Sequence, residues 1–154
     1  MKHDLSAKLA GHPFVQGLSE DHIKFLTGCI ANVKFMPGEY VFREGEPADL
    51  LFLLRSGQVA VQVYGPGRGV TTLSTMGAGE IVGWSWAVPP YISHFDVVAQ
   101  QMTLALSVDA KCLRAKCETD PEFGYQMLAR MVKVIERRLT ATRIQLLDMY
   151  GSHR

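Results

Sequence analysis

Short apolar runs separated by glycine-containing turns occupy most of the first two thirds of this 154-residue chain. Within the runs, apolar residues recur at every second position, as in Leu51 and Leu53, which is the period of a strand with one buried face. The runs arrive about every ten residues, which favours an antiparallel sandwich or small barrel over a parallel sheet. The turns between them carry glycines suited to a positive φ, at Gly38, Gly45 and Gly57.

Helical signals flank this strand region on both sides. Ser19 is placed to cap a short helix that carries Ile23, Leu26 and Ile30 at helical spacing. Asp109 and Asp120 are placed to cap two further helices, the second of which begins at Pro121. We therefore predict a single domain over residues 1–154, mainly β with flanking α. Its parts are N-terminal helices over 1–30, a β-roll over 31–109 and C-terminal helices over 110–150.

The last predicted helix carries two sets of apolar residues. One set repeats with alternating spacings of three and four, which is typical of a seam between paired helices. The other set is positioned to pack the helix on its own domain. The seam residues predicted to form a homodimer interface are Leu128, Val132, Ile135, Leu139, Thr142 and Leu146, and the packing residues are Met127, Met131, Val134, Ile144 and Leu147.

Charge and cysteine content exclude several classes of protein. The net charge is only +1, so no overall positive field favours a nucleic-acid partner. The first residues lack the apolar core of a signal peptide and no apolar run is long enough to span a bilayer, so we expect a cytoplasmic protein without a membrane partner. Three cysteines without a CxxC spacing predict free thiols and make a disulfide framework unexpected.

The order of motifs resembles one known family. Pro37-Gly38-Glu39, Arg43-Glu44-Gly45-Glu46-Pro47 and Ser56-Gly57-Gln58 are followed by Gly79-Glu80-Ile81-Val82-Gly83. This series is similar to the cyclic-nucleotide-binding domain of the CRP/FNR superfamily, over residues 13–149. The resemblance implies a double-stranded β-helix, or jelly roll, with a long C-terminal dimerisation helix. It implies ligand contacts from a cassette comprising Gly79, Glu80, Ile81, Val82, Gly83, Trp84, Ser85, Ser93 and His94.

The resemblance fails at one charged position. In the family, the residue at the position of Glu80 accepts a hydrogen bond from the ribose hydroxyl of the cyclic nucleotide. Backbone N–H groups over 81–85 would face its phosphate, and an arginine later in the chain would neutralise the phosphate charge. Here no lysine or arginine lies between Arg68 and Lys111, and Ser93 or His94 stands in the arginine's place. A charge-assisted contact contributes about 1.5–3 kcal/mol, and truncating one side of a buried charge pair costs about 2–5 kcal/mol. The loss therefore weakens binding by about 30-fold to several-thousand-fold.

Three ways of restoring recognition are open. His94 could protonate beside the phosphate, or a basic residue could enter from elsewhere, with Arg55, Arg68 and the partner's Arg130 and Lys133 as candidates. Alternatively, the aromatic residues of the cassette could favour a flat ligand of lower charge. We expect a cyclic nucleotide or another small flat molecule, with no certain cofactor and no metal.

These observations favour a non-catalytic, ligand-sensing regulatory module that acts through an unknown protein partner. The alternative is a ligand-free dimerisation and interaction module whose pocket is filled by Trp84 and Tyr91. Ser93, His94 and Asp96 do not form a plausible triad, because neighbouring residues on a strand point to opposite faces. Few residues follow Met149, so we expect none of the direct DNA binding by which the family's transcription factors act.

Overall fold

The computed structural model describes residues 2–151, with side chains from Leu5 onward. Two helices precede the strands: α1 over Lys2–Ala10 and α2 over Glu20–Thr27. The strands are β1 Ile30–Phe35, β2 Tyr40–Phe42, β3 Leu50–Ser56, β4 Gln58–Gly65, β5 Gly69–Gly77, β6 Ile81–Val82, β7 Asp96–Ala99 and β8 Thr103–Asp109. Helix α3 covers Ala110–Thr119 and helix α4 covers Pro121–Gly151, and single 3₁₀ turns lie at Pro13–Val15 and Trp84–Ala87.

The eight strands form two four-stranded antiparallel sheets, as the predicted jelly roll requires. The first sheet has the order β1-β8-β3-β6 and the second has the order β2-β7-β4-β5. Gly38, Gly45 and Gly57 have φ values of 89°, 88° and 89°, as predicted for their turns. At Gly57 a side chain would meet the backbone of Met102 and Thr103, so the turn between β3 and β4 excludes one sterically as well.

The core lies in two layers. One apolar cluster fills the space between the two sheets and includes Phe52 and Leu54. The other lies between the first sheet and the helices and includes Leu51 and Leu53. Strand β3 is therefore buried on both faces, whereas its alternating pattern predicted one buried face. The helices cover the predicted face, with Leu51 and Leu53, and the second sheet covers the opposite face, with Phe52 and Leu54.

The helix caps follow the predictions closely, with one error of register. The Ser19 side chain accepts from the His22 N–H at 3.2 Å, and the Asp109 carboxylate accepts from the Cys112 N–H at 2.9 Å. Ile30, predicted to lie on the first of these helices and assigned to the helical segment 1–30, instead begins β1. Helix α2 ends at Thr27 and its last carbonyls accept from the Gly28 N–H, so the chain is already extended at Ile30.

The prediction of free thiols at all three cysteines was wrong. Cys29 and Cys112 form a disulfide with a Cα–Cα distance of 6.2 Å, and Cys117 is free. The pairing of Ile30 with Val108 in the first sheet brings the residue before β1 close to the first turn of α3. The two cysteines are 83 residues apart, so their proximity depends on strand pairing rather than on any local spacing.

The buried residues of helix α4 all lie in its first half. Phe123, Met127, Met131 and Val134 are buried, and no later residue of the helix is. Ile144 and Leu147, predicted to pack this helix on the sandwich, are instead 55% and 70% exposed, because the helix has passed the edge of the core by that point.

Candidate functional site

The cassette begins at a turn that fixes Glu80 in place. The Glu80 carboxylate accepts from the Gly77 N–H at 2.7 Å, and its backbone N–H donates to the Gly77 carbonyl at 3.1 Å. The Glu80 carbonyl accepts from the Leu54 N–H at 2.9 Å, which connects the turn to β3. The carboxylate itself is exposed, with one lone pair directed to the backbone and the rest open to a ligand.

A buried histidine, His12, stabilises this turn through hydrogen bonds. One ring nitrogen of His12, Nδ1, accepts from the Phe14 N–H at 3.1 Å, so the other, Nε2, carries the proton and donates to the Leu54 carbonyl at 2.9 Å. The same carbonyl accepts from the Gly79 N–H. Burial lowers the pKa of His12 below its ordinary value, and hydrogen bonding to Leu54 only partly offsets the effect.

A cavity of about 580 Å³ opens beside Glu80, a volume typical of small-ligand sites. The cassette, strand β5 and helix α4 enclose it. Its lining residues are Pro13, Phe14, Val61, Leu73, Ser74, Thr75, Met76, Gly79, Glu80, Ile81, Trp84, Phe95, Val134, Ile135, Arg137, Arg138, Leu139, Ala141, Thr142 and Gln145. Helix α4 thus forms one complete wall, and the Gln145 amide donates to the Leu73 carbonyl across it at 3.3 Å.

Two tryptophans, one in the cassette and one close to it in the sequence, lie in different environments. Trp84 lines the cavity and stacks on Phe95, with ring centroids 6.4 Å apart and planes inclined by 17°. Trp86 is only 2% exposed and packs in the core between the first sheet and the helices. Trp86 therefore belongs to the core, while Trp84 offers a flat aromatic surface to the cavity.

The cation of this site comes from α4. The Arg138 guanidinium donates to the backbone carbonyl of Ile81, the residue that follows Glu80. It also contacts the Met76 sulfur at 3.7 Å. Its Cζ lies 5.9 Å from the centroid of the Trp84 ring. Burial lowers the pKa of Arg138, and the negative charge of Glu80 acts in the opposite direction.

The helical spacing of the buried residues in α4 also predicts the position of Arg138. Met127, Met131 and Val134 are buried at spacings of four and three, and Arg138 is the next position on that stripe. The basic residues predicted as replacements for the arginine do not line the cavity. Arg130 donates to the carbonyls of Phe14 and Gln16 in its own chain, and the cavity lining does not include Arg55, Arg68, Lys133 or His94.

The structure brings together only part of the predicted cassette. Gly79, Glu80, Ile81 and Trp84 line the cavity, whereas Val82, Gly83, Ser85, Ser93 and His94 do not. Ile81 and Val82 form β6 and pair with Leu53 and Phe52 of β3, and the short 3₁₀ helix follows at Trp84–Ala87. Contact between the N–H groups over 81–85 and a phosphate stays a prediction.

The remaining predicted contacts have structural positions. Gly83 has φ 97° and closely approaches β3 rather than a ligand, since a Cβ there would lie 2.9 Å from the Leu50 carbonyl oxygen. Ser93 is buried and its backbone pairs with Gly45 and Glu46, while His94 is exposed. The segment before Ser93 includes a cis peptide bond between Pro89 and Pro90.

The predicted dimer seam divides between two environments. Ile135, Leu139 and Thr142 line the cavity as well as being exposed. Leu128, Val132 and Leu146 lie outside the lining and are 52%, 61% and 48% exposed. One stripe of α4 therefore borders both the cavity and a free apolar surface.

The described residues 2–151 contain neither a membrane-spanning helix nor a cluster of metal-ligating side chains. No helix in that range is both long and apolar enough to cross a membrane. Nor does that part of the chain bring three histidine, cysteine, aspartate or glutamate side chains together as a metal site would require.

Comparison with known proteins agrees with this architecture. Residues 32–120 match the model of the cyclic nucleotide-binding domain. A CRP-like cAMP-activated global transcriptional regulator of Mycobacterium tuberculosis is 30% identical over 141 residues, which cover 92% of this chain and 61% of the relative. The chain thus spans less than two thirds of the length of that relative.

Two solved structures have similar folds. A putative cyclic nucleotide-binding protein from Geobacter metallireducens is 22% identical, with a TM-score of 0.79 over 87% of this chain and 97% of that one. The regulatory subunit of a cAMP-independent protein kinase A from Trypanosoma cruzi, bound to guanosine, is 20% identical, with a TM-score of 0.67 over 86% and 50% of the two chains. With more than half of its residues matched by the family model, this chain belongs to the cyclic nucleotide-binding domain family.

Proposed function

We propose that this chain is a non-catalytic regulatory module that senses a nucleotide or nucleoside in the cavity between the cassette and α4. The observation that carries the proposal is the cavity itself, which joins an exposed carboxylate, an aromatic surface and one wall of a long helix. A degenerate pocket filled by its own aromatic side chains would leave no such space beside Glu80.

Each wall supplies one type of contact. The Glu80 carboxylate, held by the Gly77 N–H, accepts a hydrogen bond from a ribose hydroxyl. Trp84, stacked on Phe95, offers its face to a flat base. The apolar residues of α4 close over the ligand, so that the helix position depends on occupancy.

The ligand class remains close to the family's own. A cyclic nucleotide fits the cassette glutamate, and another small flat ligand fits the aromatic surface. The guanosine-bound structure of the kinase regulatory subunit from Trypanosoma cruzi adds uncharged nucleosides to the candidates. The resemblance to CRP-like proteins supports a homodimer through the exposed residues of α4 and a response through a separate protein partner.

Calorimetric titration with cyclic AMP, cyclic GMP, adenosine, guanosine and their 2′-deoxy analogues tests the proposal. Glu80→Gln keeps an oxygen for the Gly77 N–H but removes the charge, so we expect about tenfold weaker binding of the ribose ligands. The 2′-deoxy ligands lack the hydroxyl and should show a smaller effect, which isolates that contact.

Glu118→Gln is the matched control, because Glu118 is exposed on α3 outside the cavity lining. The proposal fails if no ligand of the panel binds the wild-type protein. In that case the alternative of a ligand-free interaction module takes its place, and pairing through α4 becomes the main property to measure.

Pairing is tested separately by sedimentation equilibrium. Leu128 and Val132 are exposed and lie outside the cavity lining, so the double variant Leu128→Glu, Val132→Glu should be monomeric without altering the cavity. Tyr64, exposed on β4, provides a control through Tyr64→Glu. A wild-type protein that sediments as a monomer at high concentration would contradict the dimer.

A further inference from the structure

Arg138 is a partly buried cation that forms no salt bridge within the described residues, although the charge of Glu80 acts on it. Its guanidinium reaches the Ile81 carbonyl and the Met76 sulfur, and in the described part of the chain no carboxylate lies within ion-pair distance of it. Charged groups removed from water are normally paired, because desolvation disfavours the charged form. The remaining guanidinium N–H groups are therefore available to an acceptor that the protein does not provide.

The cavity around Arg138 is positively charged. Two arginines, Arg137 and Arg138, and one glutamate, Glu80, are the charged residues of its lining, which leaves one positive charge in excess. A ligand with a single negative charge would balance the site. A cyclic nucleotide meets this condition because its phosphodiester carries one negative charge, whereas a nucleoside carries none.

We propose that Arg138 binds the anionic group of the ligand, and that the site therefore selects a cyclic nucleotide over the matched nucleoside. The inference rests on the proposed function and adds the residue that determines specificity. The planar guanidinium presents several N–H donors in a geometry that matches two phosphate oxygens. A phosphodiester replaces the Ile81 carbonyl as the acceptor, or shares the guanidinium with it.

The position of Arg138 makes helix α4 part of the charge-recognition site. An arginine on the cassette would hold the phosphate on the sheet, with no direct connection to the helix. Here the cation follows Val134 by one helical turn, so the anion contacts the helix itself. Binding of the anion then draws α4 toward the cassette, and an uncharged ligand exerts no such attraction.

Calorimetric titration of cyclic AMP and cyclic GMP, with adenosine and guanosine as uncharged counterparts, tests the inference. Arg138→Met keeps the apolar stem and removes the charge, and should weaken cyclic-nucleotide binding by about tenfold to a hundredfold. The same variant should weaken nucleoside binding by a smaller factor, so that the ratio of cyclic-nucleotide affinity to nucleoside affinity falls. Arg138→Lys keeps a point charge and should show an intermediate loss.

Arg143→Met is the matched control, since it removes the same charge from the same helix outside the cavity lining. A second measurement uses the wild-type protein alone and does not depend on the folding of a variant. Raising the salt concentration about tenfold should weaken cyclic-nucleotide binding and leave nucleoside binding unchanged.

The outcomes separate this inference from the proposed function. If Arg138→Met binds cyclic nucleotides as well as the wild type does, or if the wild type binds nucleosides equally tightly, the role of Arg138 is wrong while a ligand-sensing module stands. If the wild type binds no member of the panel, both fail. A selective loss for the charged ligands supports both.

Discussion

His12 is expected to make the stability of this domain depend on pH. The ring is 4% exposed and is neutral in the folded state, with Nδ1 accepting from Phe14 and Nε2 donating to Leu54. A protonated ring would have to donate from both nitrogens, and the Phe14 N–H would then lose its acceptor. Both the burial and this hydrogen-bond pattern act against the charged form, and the pKa of His12 is lowered accordingly.

The direction of the pH effect on stability follows from the pKa of His12 in the unfolded and folded states. The unfolded chain binds the proton near its ordinary pKa of about 6.5, and the folded state binds it only at lower pH. The contribution of His12 is therefore fully present above about pH 6.5 and is lost as the pH falls toward the folded-state pKa. The loss between about pH 7.5 and 5.5 is at most about 1.4 kcal/mol, which is the value for a folded ring that stays neutral over the whole range.

The variant His12→Asn removes the titration and keeps an oxygen near Nδ1 for the Phe14 N–H. At about pH 7.5 it loses the hydrogen bond to Leu54, which costs about 1 kcal/mol; the Leu54 carbonyl still accepts from the Gly79 N–H. Urea unfolding at several pH values measures the free-energy difference between wild type and variant. The difference should shrink on acidification, because only the wild type carries this penalty.

The comparison cancels the titration of other groups, which both proteins share. His94→Asn provides the control for loss of an exposed imidazole outside this network. If the difference in free energy of unfolding between wild type and His12→Asn stays constant or grows as the pH falls, the assignment of a neutral, buried His12 is refuted.

Two further predictions concern the fold around the site. Gly83→Ala should lower the free energy of unfolding by about 3 kcal/mol, because φ is 97° and the new Cβ would lie 2.9 Å from the Leu50 carbonyl oxygen. Gly67→Ala, at φ 78° with open space around it, should cost only about 1 kcal/mol, and equal losses in urea unfolding would contradict the steric argument. Reduction of the Cys29–Cys112 bond should cost about 4.5 kcal/mol on the chain-entropy account, given its separation of 83 residues. Urea unfolding with and without reductant measures this loss. Cys117→Ser should leave it unchanged, whereas three reactive thiols in the unreduced protein would contradict the bond.

The sequence predicted the strand region well because its signals are local. The turns at Gly38, Gly45 and Gly57 each need a positive φ. In the strands between them, apolar residues at every second position indicate which side chains face the core. Caps are equally local, since Ser19 and Asp109 act on N–H groups three residues away. The same locality explains the error at Ile30, where helical spacing continued past the end of α2.

The site was harder to predict because its parts come from distant segments. Glu80 and Trp84 were recognised from the motif, and both line the cavity. Arg138 lies 58 positions after Glu80 and meets the cassette only because α4 runs beside Met76 of β5 and Ile81 of β6. The Cys29–Cys112 bond was missed for a similar reason, as strand pairing alone brings its two residues together.

The uneven anchoring of α4 has a mechanical consequence. The helix is held in the core as far as Val134, and the part from Ile135 to Gly151 extends beyond its last buried residue. At 1.5 Å per residue that part is roughly 25 Å long, so a tilt of about ten degrees at Val134 would carry Gly151 through roughly 4 Å. The second half of the helix contacts the domain through the hydrogen bonds of Arg138 and Gln145 and not through buried side chains. It can thus act as a lever, turning a small shift beside the cassette into a displacement as wide as a side chain.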